Sequence, residues 1–253
     1  LKNTFVELTN NMRRIVITAL AICAAHFVFA QDTTVVTRTT PATNVSIGGY
    51  DHFLIQLGYA QWQGKPDSIN TKGFSRSFNM YFMFAFPFKT NPRLSVAIGP
   101  GIATDHIFFE NMDVRIGDLS PTLVFRNTAD TNHYKKFKVA TAFLEAPVEL
   151  RYSSNPNDDK HSFKVALGAK VGTLLSAWVK GKDLQDKKNN VIRSTIVKEK
   201  SKRYFNSTRL SVMGRLGYGK FSLFTSYGIN SVFKEGVAPE VHPLSIGLTL
   251  SGL

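Results

Sequence analysis

Six histidines and eighteen carboxylates give this 253-residue chain raw material for acid–base chemistry. Asp105 and His106 are adjacent, and with Ser231 they make up a Ser–His–acid set by residue type. Any chain of this size supplies such sets by chance, and catalysis is recognised by geometry and role, not by composition. His133 and His242 stand in separate stretches with no companion motif. There is no His-x-x-x-His pair and no acidic calcium loop, and Gly99-Pro100-Gly101 lacks the downstream Lys and helix of a phosphate loop. The single Cys excludes a disulfide framework and a Cys-based zinc site. No catalytic residue, metal or cofactor is expected, and the chain reads as a non-enzyme.

The charged residues are more informative. Glu145, Glu149 and Arg151 recur at even spacing, as do Lys164 with Lys170 and Arg209 with Arg215. If they share one face of neighbouring strands, two roles are open: a polar pore or proton path, or an ion-paired plug. Buried charges are tolerated only when paired, which favours the plug. A second group is dense and one-signed. Between Lys180 and Arg203 lie nine cations against three carboxylates, a net +6, including Lys182, Lys187, Lys188, Arg193, Lys198, Lys200, Lys202 and Arg203. Such a segment either contacts anionic groups, among them lipopolysaccharide phosphates or an acidic partner, or is a solvated loop. It has almost no aromatic residues for base stacking, so nucleic acid is not expected as a partner.

These residues must be held by strands, because from Gly49 onward the hydrophobic period is two. The clearest run is Phe78, Met80, Phe82, Phe84, Phe86, Phe88. Seven further runs share its alternation, beginning at Phe53, Leu94, Ala140, Phe163, Leu210, Phe221 and Leu244. The interleaved row is small or charged, with Gly58, Ala60, Gly99, Gly168, Gly172, Gly217, Gly247 and the ionic residues above. Glycine is a poor choice for the water face of a strand. Turned inside out, the pattern is coherent: the apolar row meets lipid, and small residues leave room for long charged ones in a narrow interior. The expected fold is therefore all-β, an eight-stranded antiparallel up-and-down transmembrane β-barrel over residues 49–253. Short connections (Lys89–Pro92, Ser153–Lys160, Gly219-Lys220) alternate with long loops (Trp62–Lys72, Phe109–Lys135, Gly181–Arg203, Lys234–His242). In outer-membrane barrels the short side is periplasmic, so both termini are expected there. Phe88, Tyr152, Phe163, Tyr218 and Phe221 flank the short turns as an aromatic girdle.

Upstream, Arg13 and Arg14 precede an apolar run, Ile15–Ala25, and the segment closes with Val28-Phe29-Ala30 before Gln31. This reads as a secretory signal peptide over residues 1–30, with translation expected to start at Met12. A membrane-spanning helix is disfavoured because His26 interrupts a run already short of about 18–20 apolar residues. A lipid anchor at Cys23 is disfavoured by Ile22, where a small residue is wanted. Residues 31–48, with six Thr between Thr33 and Thr43, read as a flexible periplasmic tail.

Thr141-Ala-Phe-Leu-Glu-Ala-Pro-Val-Glu-Leu-Arg-Tyr152 resembles a segment of the Bacteroidota outer-membrane β-barrel family, PorT-like. So do Leu216-Gly-Tyr-Gly219, Pro243-Leu-Ser-Ile-Gly-Leu-Thr-Leu250 and a leader ending Ala30-Gln31. The final Leu253 departs from barrels that end in an aromatic residue. The resemblance covers roughly residues 49–253 and implies a fold more than an activity. It suggests an integral outer-membrane protein with a structural or adhesive role, surrounded by outer-membrane lipid and lipopolysaccharide, with envelope proteins as possible partners. The alternatives are an accessory subunit of an envelope machine such as type IX secretion, and a lipid-modifying enzyme.

Overall fold

The computed structural model describes residues 53–252; the expected signal peptide and the Thr-rich segment lie outside the described residues. The strands are β1 (Phe53–Gln63), β2 (Arg76–Phe82), β3 (Phe84–Pro87), β4 (Leu94–Ile98), β5 (Gly101–Phe109), β6 (Met112–Val114), β7 (Phe125–Asn127), β8 (His133–Ser153), β9 (Phe163–Gln185), β10 (Val191–Lys200), β11 (Thr208–Tyr218), β12 (Phe221–Gly228) and β13 (His242–Ser251). β2 with β3, and β4 with β5, are single staves interrupted at Met83 and at Gly99-Pro100. The register runs unbroken across both breaks, from Tyr81↔Gly101 to Phe84↔Ile98. Pro100 has no N–H to give to a ladder, and its carbonyl instead accepts from Phe82 N at 2.9 Å.

Each stave pairs antiparallel with its sequence neighbour, and β1 pairs β13 from Leu54↔Ser251 to Gln63↔His242. That last pairing closes a ring of eight staves and leaves no open edge, the solution a lipid environment demands. Side chains alternate as the rows require. Along β12, Ser222, Phe224, Ser226 and Gly228 are buried, while Phe221, Leu223, Thr225 and Tyr227 are exposed. The Phe row of β2 and β3 is likewise outside, with Phe82 45% exposed, whereas Asn79, Tyr81 and Met83 are buried. The apolar face is therefore the outer one.

The small inward residues have specific neighbours. A Cβ on Gly172 would stand 2.8 Å from Cγ of Glu145, and one on Gly58 would stand 2.9 Å from Cζ of Phe224. These glycines are the space that a carboxylate and a ring occupy.

One expectation is corrected. Gly181–Arg203 is not a loop. β8 and β9 continue past the barrel staves, and β10 takes over from β11 on the same edge of β9, with Lys200↔Trp178, Lys198↔Lys180 and Val191↔Gln185. The turn is built by Asp186, whose carboxylate accepts from the backbone N–H of Lys188 (2.8 Å) and Asn190 (2.9 Å). The Asn190 amide, and then its side chain, hold that carboxyl below the usual carboxylate range. Asn189 adopts φ +67°, a value asparagine tolerates. The interior is apolar at one end. At the long-loop end the connections fold inward around Trp62, whose ring lies 5.5 Å from Phe109 and 5.3 Å from Phe233, edge to face. Ile69, Met112, Ile116, Leu123, Tyr204, Phe205 and Val241 complete this apolar cluster. The loops are also stitched together: Leu123 N donates to Val237 O at 2.7 Å, and Tyr204 Oη lies 2.6 Å from the carbonyl of Asp118.

Candidate functional site: the charged lumen and the basic ribbon

Below the apolar cluster the interior holds two carboxylate centres from β8. Glu145 is 1% exposed. Its Oε2 accepts from Tyr81 Oη at 2.6 Å and lies 3.4 Å from Lys170 Nζ, while Oε1 lies 3.3 Å from Arg209 Nη1. Arg209 also reaches Asp105 at 2.7 Å, and its guanidinium stacks over Phe143 at 3.8 Å. Lys170 Nζ donates to Tyr81 Oη at 3.3 Å, which closes the group. Glu149, also 1% exposed, receives Arg151 Nε at 2.7 Å and Arg215 Nη2 at 2.8 Å on one oxygen. Four staves thus meet through charge, and β2 joins them through the Tyr81 hydroxyl, across a lumen only a few side chains wide. Lys164 stands half-buried at the short-turn mouth, where it lines a cavity with Arg93, Arg151 and Arg215.

Sequence reasoning placed the two glutamates beside the cations of β9 and β11. It missed Tyr81 and Asp105: Tyr81 reaches Glu145 over Gly101, which lies between them in one cross-strand row, and Asp105 reaches Arg209 from three staves away. The Asp105–His106 set does not assemble. Asp105 points inward onto Arg209, while His106 points outward, its Nδ1 3.2 Å from Lys138 Nζ. His133 is held by Asn189 (3.1 Å) and His242 by the Gly228 carbonyl (3.1 Å), both structural contacts. Among the described residues no group of three or more His, Cys, Asp or Glu is arranged to hold a metal.

The basic segment is an ordered ribbon. Lys182, Lys187, Lys188, Arg193, Lys198, Lys200, Lys202 and Arg203 are all exposed. Its carboxylates are occupied locally: Asp183 accepts from Ser194 Oγ at 2.9 Å and lies 3.9 Å from Lys182, Asp186 shapes the turn, and Glu199 accepts from Gly117 N at 3.1 Å. The ribbon's positive field is therefore directed to solvent.

The family described as outer membrane protein beta-barrel domain matches residues 29–234. No curated protein matches the chain. Among solved structures it is similar to Ail, the attachment invasion locus protein of Yersinia pestis. Against Ail alone the identity is 17%, covering 80% of this chain and 98% of that one, with a TM-score of 0.32. Against Ail in complex with the heparin analogue sucrose octasulfate it is 16%, covering 79% and 96%, again with a TM-score of 0.32. A TM-score of this size lends the likeness no weight, and the fold rests on the closed register and the family match.

Proposed function

The chain belongs to the outer membrane protein beta-barrel domain family, and from that membership we propose that it is a non-enzymatic, non-conducting outer-membrane protein that presents the β9–β10 ribbon at the cell surface in a structural or adhesive role. The observation that carries this reading is the division of labour along the barrel axis. The lumen is filled by ion pairs and capped by an apolar cluster, while the cations free of local carboxylates are carried outside on a strand-built projection. In this reading a signal peptide ending at Ala30 directs export, both termini are periplasmic, and the ribbon contacts anionic surfaces. The PorT-like resemblance adds a place among Bacteroidota barrels, with envelope proteins as further partners.

Orientation is tested by a single cysteine. With Cys23 removed along with the leader, Asn190→Cys at the ribbon turn is expected to react with a membrane-impermeant maleimide on intact cells. Labelling only after lysis would place the ribbon in the periplasm and reverse the topology. Conduction is tested separately. The unmodified protein in a planar bilayer is expected to show no steady open state, and a persistent channel would favour the pore reading of the Glu145 and Glu149 rows. For adhesion, Lys187, Lys188 and Arg193 changed together to Gln should reduce attachment of cells to a sulfated polysaccharide surface; unchanged attachment would remove the ribbon from that role.

A further inference from the structure

The outer face of the barrel changes chemistry over two cross-strand rows. Met80, Ile102 and Leu144 form one apolar row, and the next is Phe78, Thr104, Ala142 and Ser176. Above it come Arg76, His106, Ala140, Trp178 and Lys200, and above that Phe108, Lys138, Lys180 and Lys198. The height of this change follows from strand geometry. From Tyr152 to Leu144 the outward row of β8 spans eight residues. At about 3.4 Å per residue and a tilt near 40°, that covers roughly 20 Å of membrane height. An apolar band about 25 Å tall therefore ends close to Ala142, and each further row rises about 5 Å. Trp178 falls at the boundary, where aromatic rings collect, and the lysine row falls one step beyond it, at the depth of lipid headgroups.

Lys138, Lys180 and Lys198 are directly opposed on three adjacent strands, an arrangement that is destabilising without a counter-charge. Among the described residues none of the three, nor Arg76, forms a salt bridge. The cations are instead gathered by rings. Arg76 and Lys138 both stand over Phe108, at 5.8 and 5.6 Å, and Lys198 stands over Trp178 at 5.4 Å. Trp178 in turn packs edge-on against His106 at 6.0 Å. The ring contacts fix where the positive charge sits and leave its compensation to something outside the chain.

We infer that the outward face formed by Arg76, Lys138, Lys180 and Lys198 is a lateral binding site for the phosphate groups of an outer-leaflet glycolipid. The inference rests on the orientation in the proposed function, with the long-loop end outward. The glycolipid's acyl chains would lie against the Ile102 and Leu144 row, and its phosphates would meet the lysine row one strand-step above Trp178. Polyanion binding at the ribbon turn and lipid binding on this flank are then separate uses of one positive hairpin.

The full mature chain, reconstituted in phosphatidylcholine nanodiscs containing diphosphoryl lipid A or its dephosphorylated form, provides the test. Diphosphoryl lipid A is expected to raise the unfolding temperature and to remain bound in native mass spectrometry, and the dephosphorylated form to do neither. Lys138→Gln, Lys180→Gln and Lys198→Gln together should weaken retention by on the order of a hundredfold. The triple Arg variant should keep it. In nanodiscs without lipid A the Gln variant should be at least as stable as the parent, because opposed like charges have been removed. Equal retention of dephosphorylated lipid A, or unchanged retention by the Gln variant, would overturn the site. A response to dextran sulfate but not to lipid A would also overturn it, in favour of a soluble polyanion. If lipid A fails while Asn190→Cys still labels on intact cells, only this inference falls; if the label fails, the orientation falls first.

Discussion

Glu149→Ala is expected to destabilise the barrel by about 3–5 kcal/mol, because it removes the carboxylate that pairs two largely buried guanidinium groups. Arg151 and Arg215 are 8% and 7% exposed, and each directs one N–H at the same Glu149 oxygen, at 2.7 and 2.8 Å. Glu145 is already engaged by Lys170 and Arg209, and Asp105 by Arg209, so neither carboxylate is available to Arg215. The loss is read as a lower unfolding temperature in detergent micelles. Glu235→Ala, a change at an exposed loop position, serves as the control and should move the transition little. Adding Arg215→Met to Glu149→Ala should recover part of the loss, since it removes one stranded charge and leaves an apolar stem of similar length. A Glu149→Ala protein as stable as the parent would mean that water reaches these groups freely. The lumen would then be open, and the plugged-barrel reading would fail with it.

The fold was legible because two faces of one strand are different kinds of surface. Phe78 to Phe88 alternates with Ser77 to Pro87 over six repeats, and no helical period can produce that. Once glycine and charge occupy the opposite row, the direction of the greasy face follows from chemistry alone. The ion pairs were legible only in part. Glu145, Lys170 and Arg209 share sequence-neighbouring staves, so their row positions suffice to bring them together. Tyr81 reaches the same carboxylate over Gly101, the small residue between them in one row, and Asp105 reaches the Arg209 guanidinium from three staves away, so positions on neighbouring staves do not foretell either meeting. The apolar cap was hidden for another reason. Ile69, Ile116, Leu123 and Phe233 sit in irregular connections with no period to read. Val191–Lys200 carries no strand signal in the sequence, because it mixes three cations with a carboxylate and has no alternating apolar row. It becomes a strand because the Asp186 turn returns it along an edge of β9 that β11 has left vacant. The lysine row on the outer flank likewise appears only in register. In the sequence Lys138, Lys180 and Lys198 are scattered, and in the sheet they are adjacent.

Phe82→Arg should cost about 2–4 kcal/mol of insertion free energy, while Phe88→Arg should cost only about 0–1 kcal/mol, because the penalty for a cation on the lipid face depends on depth. The two rings have similar exposure, 45% and 42%, and belong to the same outward row, so depth is the variable that separates them. Phe82 N bonds the carbonyl of Pro100, between the levels at which Gly101 pairs Glu145 and Ile98 pairs Val148. That places it near the middle of an apolar band running from Tyr152 to about Ala142 on β8. Phe88 lies beside the short turn, where its N bonds the Leu94 carbonyl, and an arginine there can extend its guanidinium into the headgroup region. Urea titrations of folding into phosphatidylcholine vesicles give both values under one condition. If the two variants fell together, the band would be displaced toward the short-turn end. The lysine row would then stand well above the headgroups, beyond reach of the lipid phosphates assigned to it. A large gap between the variants fixes the membrane's height on the barrel by a measurement that involves neither the lumen nor the ribbon. It also places the boundary where Trp178 and Lys180 require it to be.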